Sequence, residues 1–485
     1  MAHIRHRVAR ELADQALSRA AGAALIPGNQ IRLLRDAEEN YPAWIRAIES
    51  ARHWIHFEAY IIYEDRAGRQ FAELLSAKAR EGVPVRLVCD WVGSLGTASK
   101  KFWRRLAQAG VEVRFFNPPR LDSPFGWISR DHRKLIAVDG SVAFVAGLCV
   151  GEFWAGIPEQ KIDPWRDTGV EIRGPAVADL ERSFADTWVS IGPALDSREL
   201  PSGDDLKAAG EVSLRIVSGL PNAAGVYRVD QLFATLAQRS IWLADAYFVG
   251  TGAYIQALQA AARSGVDVRL LVPGSNNLPI LRAISRAGLR PLLEAGVRVF
   301  EWNGSMMHAK TAVVDGQWSR VGSTNLNLTS WLGNRELDVL VEDEGFARQM
   351  EEMYLEDLSQ STEIVLSKKR RRPGPSVKPP AGQFSKKRSG GTSRTVAGVL
   401  RLGQSVGAAV TNRRELGPAE AVIMVWGAAF VAILSAVVAA LAVIWPWAVA
   451  VPLALVGLWT AVSLAIRAHE LRFRKRTRKQ HRQPP

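Results

Sequence analysis

The chain contains very few cysteines, and their scarcity excludes two common ways of stabilising a fold. Among 485 residues there are only Cys89 and Cys149. Two cysteines cannot form a disulfide framework, and they cannot supply a multi-cysteine zinc site. The first 22 residues carry charges throughout and have no apolar core segment, so we predict no signal peptide here. The composition indicates a reducing, or at least disulfide-free, setting.

Net positive charge is also absent from most of the chain, although the formal total is +14. From Lys368 onward there are 21 Lys and Arg residues and three acidic ones, whereas residues 1–367 hold 41 basic and 45 acidic residues. A protein that binds the phosphate backbone of a nucleic acid carries its positive charge on the folded part. The distribution therefore argues against a nucleic-acid partner.

One segment near the C-terminus lacks charged residues altogether. No Asp, Glu, Lys or Arg occurs from 421 to 466, and Trp-Pro-Trp divides this segment into apolar runs at 421–444 and 447–466. A helix needs about 20 apolar residues to cross a hydrocarbon core, so each run is long enough. Basic clusters flank the pair on both sides, and this predicts a transmembrane hairpin with both ends in the cytoplasm. A buried pair of soluble helices is the weaker alternative, because neither run has a polar face.

The segment 366–394 joins this region to the rest of the chain. Its basic runs are mixed with Pro, Gly and Ser, a composition that cannot bury a core and that predicts a disordered linker. We assign 395–466 to a membrane-associated region that includes both apolar runs, and 467–485 to a basic tail.

The remainder of the chain contains an internal repeat. "HFEAYII" at 56–62 resembles "LADAYFV" at 243–249, and two further pairs of similar segments follow in the same order. Each copy alternates short β-branched runs with longer patterns of helical period. This predicts an α/β fold with mainly buried strands, in two similar lobes at 28–195 and 205–365. The helical patterns end at glycines that we expect to cap the helices, namely Gly82, Gly110, Gly265 and Gly296.

Two nine-residue phrases occupy matched positions in the repeat. "HRKLIAVDG" begins at His132, and "HAKTAVVDG" begins at His308. In each phrase a lysine, Lys134 or Lys310, leads into an apolar run that is typical of a buried strand. Residues i and i+2 of a strand point to the same side, so each phrase presents an imidazole beside an ammonium group. One His-x-Lys means little, but two matched phrases are not a coincidence.

Two imidazoles and two ammonium groups that meet between the lobes suit a phosphodiester. The lysines supply positive charge to the non-bridging oxygens. One neutral histidine attacks phosphorus, while the other, protonated, gives its proton to the leaving oxygen. Because the lysines offset the phosphate charge, we expect neither a metal nor a cofactor.

Further polar residues extend this pattern. Asp167 and Glu336 align between the copies, and a carboxylate bonded to one ring nitrogen fixes the tautomer and orientation of a catalytic histidine. After the second phrase, Ser323 and Asn325 are candidates to donate to phosphate oxygens, and Gly322 is a structural position beside them.

Four aligned residues receive a structural interpretation instead. Asp139 and Asp315 follow the buried strands, and we expect them to hold the turns there. Tyr60 and Tyr247 are interpreted as part of the core or of the pocket wall.

The two phrases resemble the phospholipase D superfamily, whose His-x-Lys-x-x-x-x-Asp motif occurs twice in single-chain members. The likeness covers roughly residues 28–360, and "RDHRKLIAVDG" is most similar to the bacterial cardiolipin synthase branch. It implies two phospholipase D-like lobes with the active site at their interface. It also implies a covalent phosphohistidine on His132, with His308 as the general acid and later the base.

The resemblance assigns the other matched residues as well, and it leaves open which carboxylate serves which histidine. The roles that it implies are phosphate binding by Lys134, Lys310 and Asn325, and orientation of the imidazoles by Asp167 and Glu336.

The sequence departs from the family pattern in two places. The second copy has Gly-Ser-Thr-Asn at 322–325, but the first has Ala-Gly-Leu-Cys at 146–149, so Cys149 stands where an asparagine is usual. We expect a working but asymmetric site that lacks one phosphate donor. The predicted hairpin also lies at the C-terminus, whereas many cardiolipin synthases carry theirs at the N-terminus.

These features favour a membrane-bound phosphatidyltransferase. Phosphatidylglycerol would pass its phosphatidyl group to His132, and a second phosphatidylglycerol would take it up to give cardiolipin. Attack by water instead would make the protein a hydrolytic phospholipase D that releases phosphatidic acid. A nuclease fits the acidic catalytic part poorly, and a non-enzymatic membrane scaffold fits the intact His-Lys pairs poorly.

The predicted partners are the membrane and a phospholipid substrate, phosphatidylglycerol first and phosphatidylethanolamine as an alternative. We expect the protein in the bacterial inner membrane, as a multi-pass protein with its catalytic part on the cytoplasmic side. The sequence leaves the oligomeric state open.

Overall fold

The computed structural model describes residues 13–119, 129–201, 206–274 and 288–366, together with four single positions between 447 and 458. The predicted linker, apolar runs and basic tail lie outside the described residues, apart from residue 366 and these four positions. Within the described part of the chain, no helix has both the length and the apolar character needed to span a membrane.

The described residues form fifteen strands, most of which are connected by helices. The strands are β1 Ile26–Arg35, β2 Ile55–Ala59, β3 Val85–Asp90, β4 Glu112–Phe116, β5 Leu135–Val138, β6 Val142–Ala146, β7 Thr168–Arg173, β8 Val212–Gly219, β9 Ser240–Ala244, β10 Asp267–Pro273, β11 Arg298–Trp302, β12 Thr311–Val314, β13 Trp318–Gly322, β14 Glu336–Glu342 and β15 Ser361–Ile364. The helices are α1 Asp36–Ser50, α2 Arg66–Arg80, α3 Lys100–Gln108, α4 Glu152–Ala155, α5 Ala176–Ser190, α6 Gly225–Leu236, α7 Gly252–Arg263 and α8 Glu344–Ser359. Further helical segments lie at 13–21 and 288–294, with 3-10 turns at Pro158–Gln160 and Ser197–Glu199 and a π turn at Thr329–Gly333.

The predicted α/β fold with two similar halves is confirmed. In the first half the strand order is β1-β7-β6-β5-β2-β3-β4, and in the second it is β8-β14-β13-β12-β9-β10-β11, so the halves have the same topology. The halves are not separate sheets, however. Antiparallel pairing of β1 with β8 joins them into one mixed sheet of 15 strands, with β15 added at one edge.

The glycines that were expected to end helices do so. Gly82, Gly110, Gly265 and Gly296 follow helical segments and have φ between 88° and 100°. This left-handed conformation costs an L side chain energy but costs glycine nothing, and it turns the chain from helix to strand. The prediction succeeded because the requirement is local to one residue.

A shared core holds the halves against each other. Side chains of β5, β6 and β7 from the first half pack with those of β12, β13 and β14 from the second, and α5 and α8 complete the cluster. All four residues of β5 and of β12 are buried. Each Å² of apolar surface that is removed from water stabilises the folded state by roughly 25 cal/mol. The shared core therefore fixes the two halves relative to each other, so residues at their interface have a defined geometry.

Candidate active site

The two phrases fold alike at the N-terminal ends of two equivalent strands. Each lysine directly precedes its buried strand, β5 or β12, and each strand ends in a turn at Asp139 or Asp315, both with a φ of 54°. The Asp139 carboxylate accepts from the backbone N–H groups of 52–54 at 2.7–2.8 Å, and that of Asp315 accepts from 238–240 at 2.8–2.9 Å. These bonds fasten each motif strand to the strand beside it.

The first histidine is held by the second half of the chain. The backbone N–H of His132 donates to the Arg335 carbonyl oxygen at 2.9 Å. Its side-chain Nδ1 lies 2.9 Å from Glu336 Oε2, at the start of β14. Because an ionised carboxylate can only accept, Nδ1 is the donor, and Nε2 is left as the reactive nitrogen.

The second histidine makes the same two contacts, but with residues of the first half of the chain. The backbone N–H of His308 donates to the Arg166 carbonyl oxygen at 2.7 Å. Its Nδ1 lies 2.7 Å from Asp167 Oδ2, directly before β7. The carboxylates are therefore crossed, since each half of the chain orients the histidine of the other half. The sequence left this pairing open.

Both lysines lie inside the same cluster. The Nζ groups of Lys134 and Lys310 each donate to the backbone carbonyl oxygen of their own motif histidine, His132 or His308. Lys310 Nζ also lies 3.1 Å from His308 Nε2. Burial lowers the pKa of Lys310 to about 8, and the nearby carboxylates, Asp167 first, oppose this effect.

Burial and the lysines keep both imidazoles neutral. Burial, reinforced by Lys310, lowers the pKa of His308 to about 3. Burial also lowers the pKa of His132, although Glu336 opposes this effect. The lysine of the opposite half also lowers the pKa of each histidine, so the charges of the four basic groups are coupled.

The orienting carboxylates stay ionised despite their burial. Burial alone would raise the pKa of Asp167 and of Glu336, but the neighbouring histidine and lysine groups hold both below their usual values. An ionised carboxylate behind each ring stabilises the imidazolium when it forms during proton transfer.

The residues after the second phrase lie in the site but serve different contacts. The Ser323 hydroxyl donates to Glu336 Oε2 at 2.6 Å and accepts from the Leu337 N–H at 2.9 Å. Asn325 is buried, and its Nδ2 makes only a long hydrogen bond, to Ser330 Oγ at 3.5 Å. A Cβ at Gly322 would come within 2.5 Å of Asp338 Oδ1. Asn325 is thus the more available of the two candidate phosphate donors.

Several residues around the histidines were not singled out from the sequence. The rings of Trp154 and Trp165 each lie 5.6 Å from the His308 ring. Arg166 is buried and paired with Asp357, with Nε to Oδ1 at 2.7 Å. None of these residues belongs to the two nine-residue phrases, although Arg166 precedes Asp167 as Arg335 precedes Glu336. The two aligned tyrosines do contact the site, as Tyr60 lies 4.9 Å from the His132 ring and Tyr247 lies 6.0 Å from the His308 ring.

The first half differs from the second where the sequence departs from its pattern. Cys149 is a buried free thiol, and burial raises its pKa, so it is a neutral group beside Lys134. Among the described residues, no group of three or more His, Cys, Asp or Glu side chains is arranged to hold a metal ion. Metal independence remains a prediction.

Comparison with known proteins agrees with this geometry. A family model described as "Cardiolipin synthase, PLD-like domain" matches residues 44–150 and 233–358, one segment in each half. A cardiolipin synthase of Geobacillus sp. (strain WCH70) is 34% identical over 348 residues, which span 71% of this chain and 69% of that protein. Cardiolipin synthase A of Pseudomonas fluorescens (strain SBW25) is 34% identical over 349 residues, or 70% of each chain.

A solved structure shares the fold at much lower sequence identity. The phosphatidylserine synthase of Haemophilus influenzae Rd KW20 superposes with a TM-score of 0.58 at 16% identity, over 73% of this chain and 92% of that one. The alignments with the two relatives at 34% identity span more than two thirds of each relative. Both segments that match the family model contain a complete His-Lys phrase. The chain belongs to the phospholipase D-like family of cardiolipin synthases.

Proposed function

We propose that this protein transfers a phosphatidyl group from one phosphatidylglycerol to another, which yields cardiolipin and glycerol. The observation that carries the proposal is the crossed pair of histidines, each with its Nδ1 bonded to a carboxylate, so that Nε2 is the nitrogen that reacts. The names of the relatives at 34% identity support the choice of a phospholipid as the substrate.

In the first step, Nε2 of His132 attacks phosphorus. A P–N bond forms, the P–O bond to glycerol breaks, and the proton of His308 Nε2 passes to the departing oxygen. Burial and Lys310 lower the pKa of His308, but a bound phosphodiester places a negative charge beside it and favours the imidazolium. The ammonium groups of Lys134 and Lys310 stabilise the charge that accumulates on the non-bridging oxygens.

In the second step the roles reverse. His308, now neutral, removes the proton from a hydroxyl of the second phosphatidylglycerol, and that oxygen attacks phosphorus while the P–N bond to His132 breaks. The same intermediate attacked by water would give phosphatidic acid. The acceptor alone distinguishes a synthase from a hydrolase at this site.

The test is to identify the products. Purified full-length protein in detergent is incubated with phosphatidylglycerol labelled in its headgroup glycerol, with and without phosphatidylethanolamine, and the lipids are resolved by mass spectrometry. We expect cardiolipin and free labelled glycerol, and no product from His132→Ala or His308→Ala. Phosphatidic acid as the main product at all lipid concentrations would contradict the synthase and indicate a hydrolase.

A trapped intermediate tests the roles of the histidines. Rapid quench of wild-type protein with denaturant at alkaline pH, where the P–N bond survives, followed by peptide mapping should find the phosphatidyl group on His132. The same group on His308 would exchange the roles that we propose for the two residues.

A further inference from the structure

The two orienting carboxylates have equivalent hydrogen bonds that come from different residues. Glu336 Oε2 accepts from His132 Nδ1 at 2.9 Å and from the Ser323 hydroxyl at 2.6 Å. Its other oxygen accepts from Asn334 Nδ2 at 3.2 Å. Two donors on the oxygen that faces the histidine, and one on the other oxygen, leave this carboxylate a single orientation.

Asp167 has the same number of donors in the same arrangement. Its Oδ2 accepts from His308 Nδ1 at 2.7 Å and from Trp154 Nε1 at 3.1 Å, and its Oδ1 accepts from the Thr168 N–H at 2.8 Å. The indole N–H of Trp154 therefore makes the bond to Asp167 that the Ser323 hydroxyl makes to Glu336.

The first half has no serine at this place because the space is occupied. Gly147 is the structural counterpart of Ser323, since their N–H groups donate to Thr168 and Leu337 carbonyl oxygens, each at 3.0 Å. A Cβ at Gly147 would lie 2.1 Å from Asp167 Oδ1 and 2.9 Å from its Cγ. The Asp167 carboxylate thus fills the volume that a serine side chain needs, and its second donor has to come from another direction.

Trp154 is fixed well enough to be that donor. It lies in the short helix α4 and is buried, with its ring 4.9 Å from Trp165 and edge-on to His308. The start of α4 is fastened by the Tyr41 hydroxyl, which accepts from the Gly151 N–H at 3.1 Å, and by Asp65 Oδ2, which accepts from the Glu152 N–H at 2.7 Å. The indole N–H has little freedom to turn away from Asp167.

We propose that Trp154 is a positioning residue of the reaction, whose indole N–H holds Asp167 behind His308 as Ser323 holds Glu336 behind His132. Trp154 touches neither phosphorus nor the leaving group in this role. It acts through Asp167 on the direction and timing of proton transfer at His308 Nε2. The proposal rests on the proposed function to the extent that both use the Asp167–His308 pair for general acid catalysis.

The test compares leaving groups in the full-length protein. With phosphatidylglycerol, glycerol departs only when it is protonated, whereas phosphatidyl-p-nitrophenol releases a stable anion without help from an acid. We expect Trp154→Phe to lower kcat for consumption of phosphatidylglycerol by about tenfold, because a hydrogen bond to a charged group is lost, and to leave KM within about twofold. The first-turnover burst of p-nitrophenol should keep its wild-type rate.

Two further variants control for folding and for packing. Replacement of Trp154 by benzothienylalanine exchanges the N–H group for sulfur and keeps the shape of the ring, so it tests the donor alone if Trp154→Phe does not fold. Trp154→His restores an N–H donor on a smaller ring, and it should recover part of the lost kcat.

A double-mutant cycle locates the effect. In an Asp167→Asn background, Trp154→Phe should lower kcat by less than about twofold further, because the charged acceptor is already gone. In a Glu336→Gln background it should keep its full effect of about tenfold, because that carboxylate serves the other histidine.

Three outcomes would overturn the proposal. They are wild-type kcat in the benzothienylalanine variant, equal losses on both substrates, and full additivity with Asp167→Asn. Each is measured as consumption of the donor lipid, so a finding that the product is phosphatidic acid would refute the proposed acceptor and leave the result for Trp154 standing.

Discussion

At the scale of the residue, the crossed carboxylates separate the two halves of the catalytic cycle. Glu336 serves the proposed nucleophile His132, and Asp167 serves the proposed acid His308. We expect Asp167→Asn to lower turnover of phosphatidylglycerol by about 100-fold or more and to leave the p-nitrophenol burst intact, because no acid is needed there. Glu336→Gln should slow both by about 100-fold, because both begin with attack by His132. Stopped-flow absorbance at the p-nitrophenolate band makes the measurement, and a burst lost in Asp167→Asn but kept in Glu336→Gln would reverse the assignment.

Lys310 gives the site a pH limit. Burial lowers its pKa to about 8, so above that pH the free enzyme loses a positive charge that binds the anionic phosphodiester. We expect kcat/KM, which reports the free enzyme, to fall as pH rises through about 8. Lys310→Arg should move this limb upward, since a guanidinium stays protonated. The comparison of the two pH profiles is the measurement, and an unmoved limb in Lys310→Arg would assign it to another group.

At the scale of the element, a buried ionic cluster ties β2 to α5. His56 of β2 contacts Glu181 of α5 and lies 3.3 Å from Glu199, and its ring stacks on Phe184 at 4.5 Å. Burial alone would lower the pKa of His56, but Glu181 and then Glu199 together raise it. Burial would likewise raise the pKa of Glu199, yet hydrogen bonds from His56 and Arg86 hold it at about 2.

The sign of the stability change follows from these shifts. A histidine whose pKa is raised on folding stabilises the protein fully below its unfolded pKa of about 6.5. This stabilisation is lost as pH rises through the pKa of the folded state. The Glu199 contribution is present above its unfolded value of about 4.3 and is lost as pH falls towards 2. We therefore expect wild type to exceed His56→Gln in thermal midpoint by more at about pH 6 than at about pH 9. An equal difference at both pH values would show that packing on Phe184, and not charge, accounts for the role of His56.

The separation along the chain between interacting residues decided which features could be predicted from the sequence. The His-Lys pairs and the capping glycines depend on residues within a few positions, so their pattern is readable directly. The pairing of His132 with Glu336 spans 204 residues, and that of His308 with Asp167 spans 141, so alignment of the repeats identified the carboxylates but not their partners. The bond from Trp154 to Asp167 corresponds to a bond from a serine, Ser323, to Glu336, so comparison of like residues between the copies could not reveal it.

The joining of the halves into one sheet was missed for a related reason. The β1–β8 pair depends on backbone hydrogen bonds between two edge strands, and such bonds leave no signature in side-chain pattern. A strand that pairs on both sides has the same alternation of polar and apolar residues as one that pairs on a single side.

At the scale of the whole molecule, the proposed membrane anchor lies outside the described residues. We propose that the apolar runs at 421–444 and 447–466 hold the protein in the membrane, since basic residues flank both and each gains roughly 1 kcal/mol near an anionic leaflet. Deletion of 395–485 should release a folded protein that acts on detergent-dispersed lipid but poorly on vesicles. Fractionation after a high-salt wash is the measurement. If the truncated protein stayed with the membrane, the main anchor would lie elsewhere.

Orientation in the membrane is a separate prediction. With basic clusters on both flanks, we expect residue Ser202 and the C-terminal tail to face the cytoplasm. Cysteine labelling at each position with a membrane-impermeant reagent tests this in intact and permeabilised cells. Labelling of either position in intact cells would reverse the proposed topology.

The crossed carboxylates also constrain how such a chain could have arisen. One copy of the repeating unit contains a histidine and a carboxylate but cannot bring them together, because each carboxylate reaches only the histidine of the other copy. An ancestor with a single copy therefore had to work as a pair of identical chains, in which every substitution appeared twice. Fusion removed that symmetry. In a fused chain the two copies can differ, as Gly147 and Cys149 differ from Ser323 and Asn325, while each half still depends on the other for the carboxylate behind its histidine.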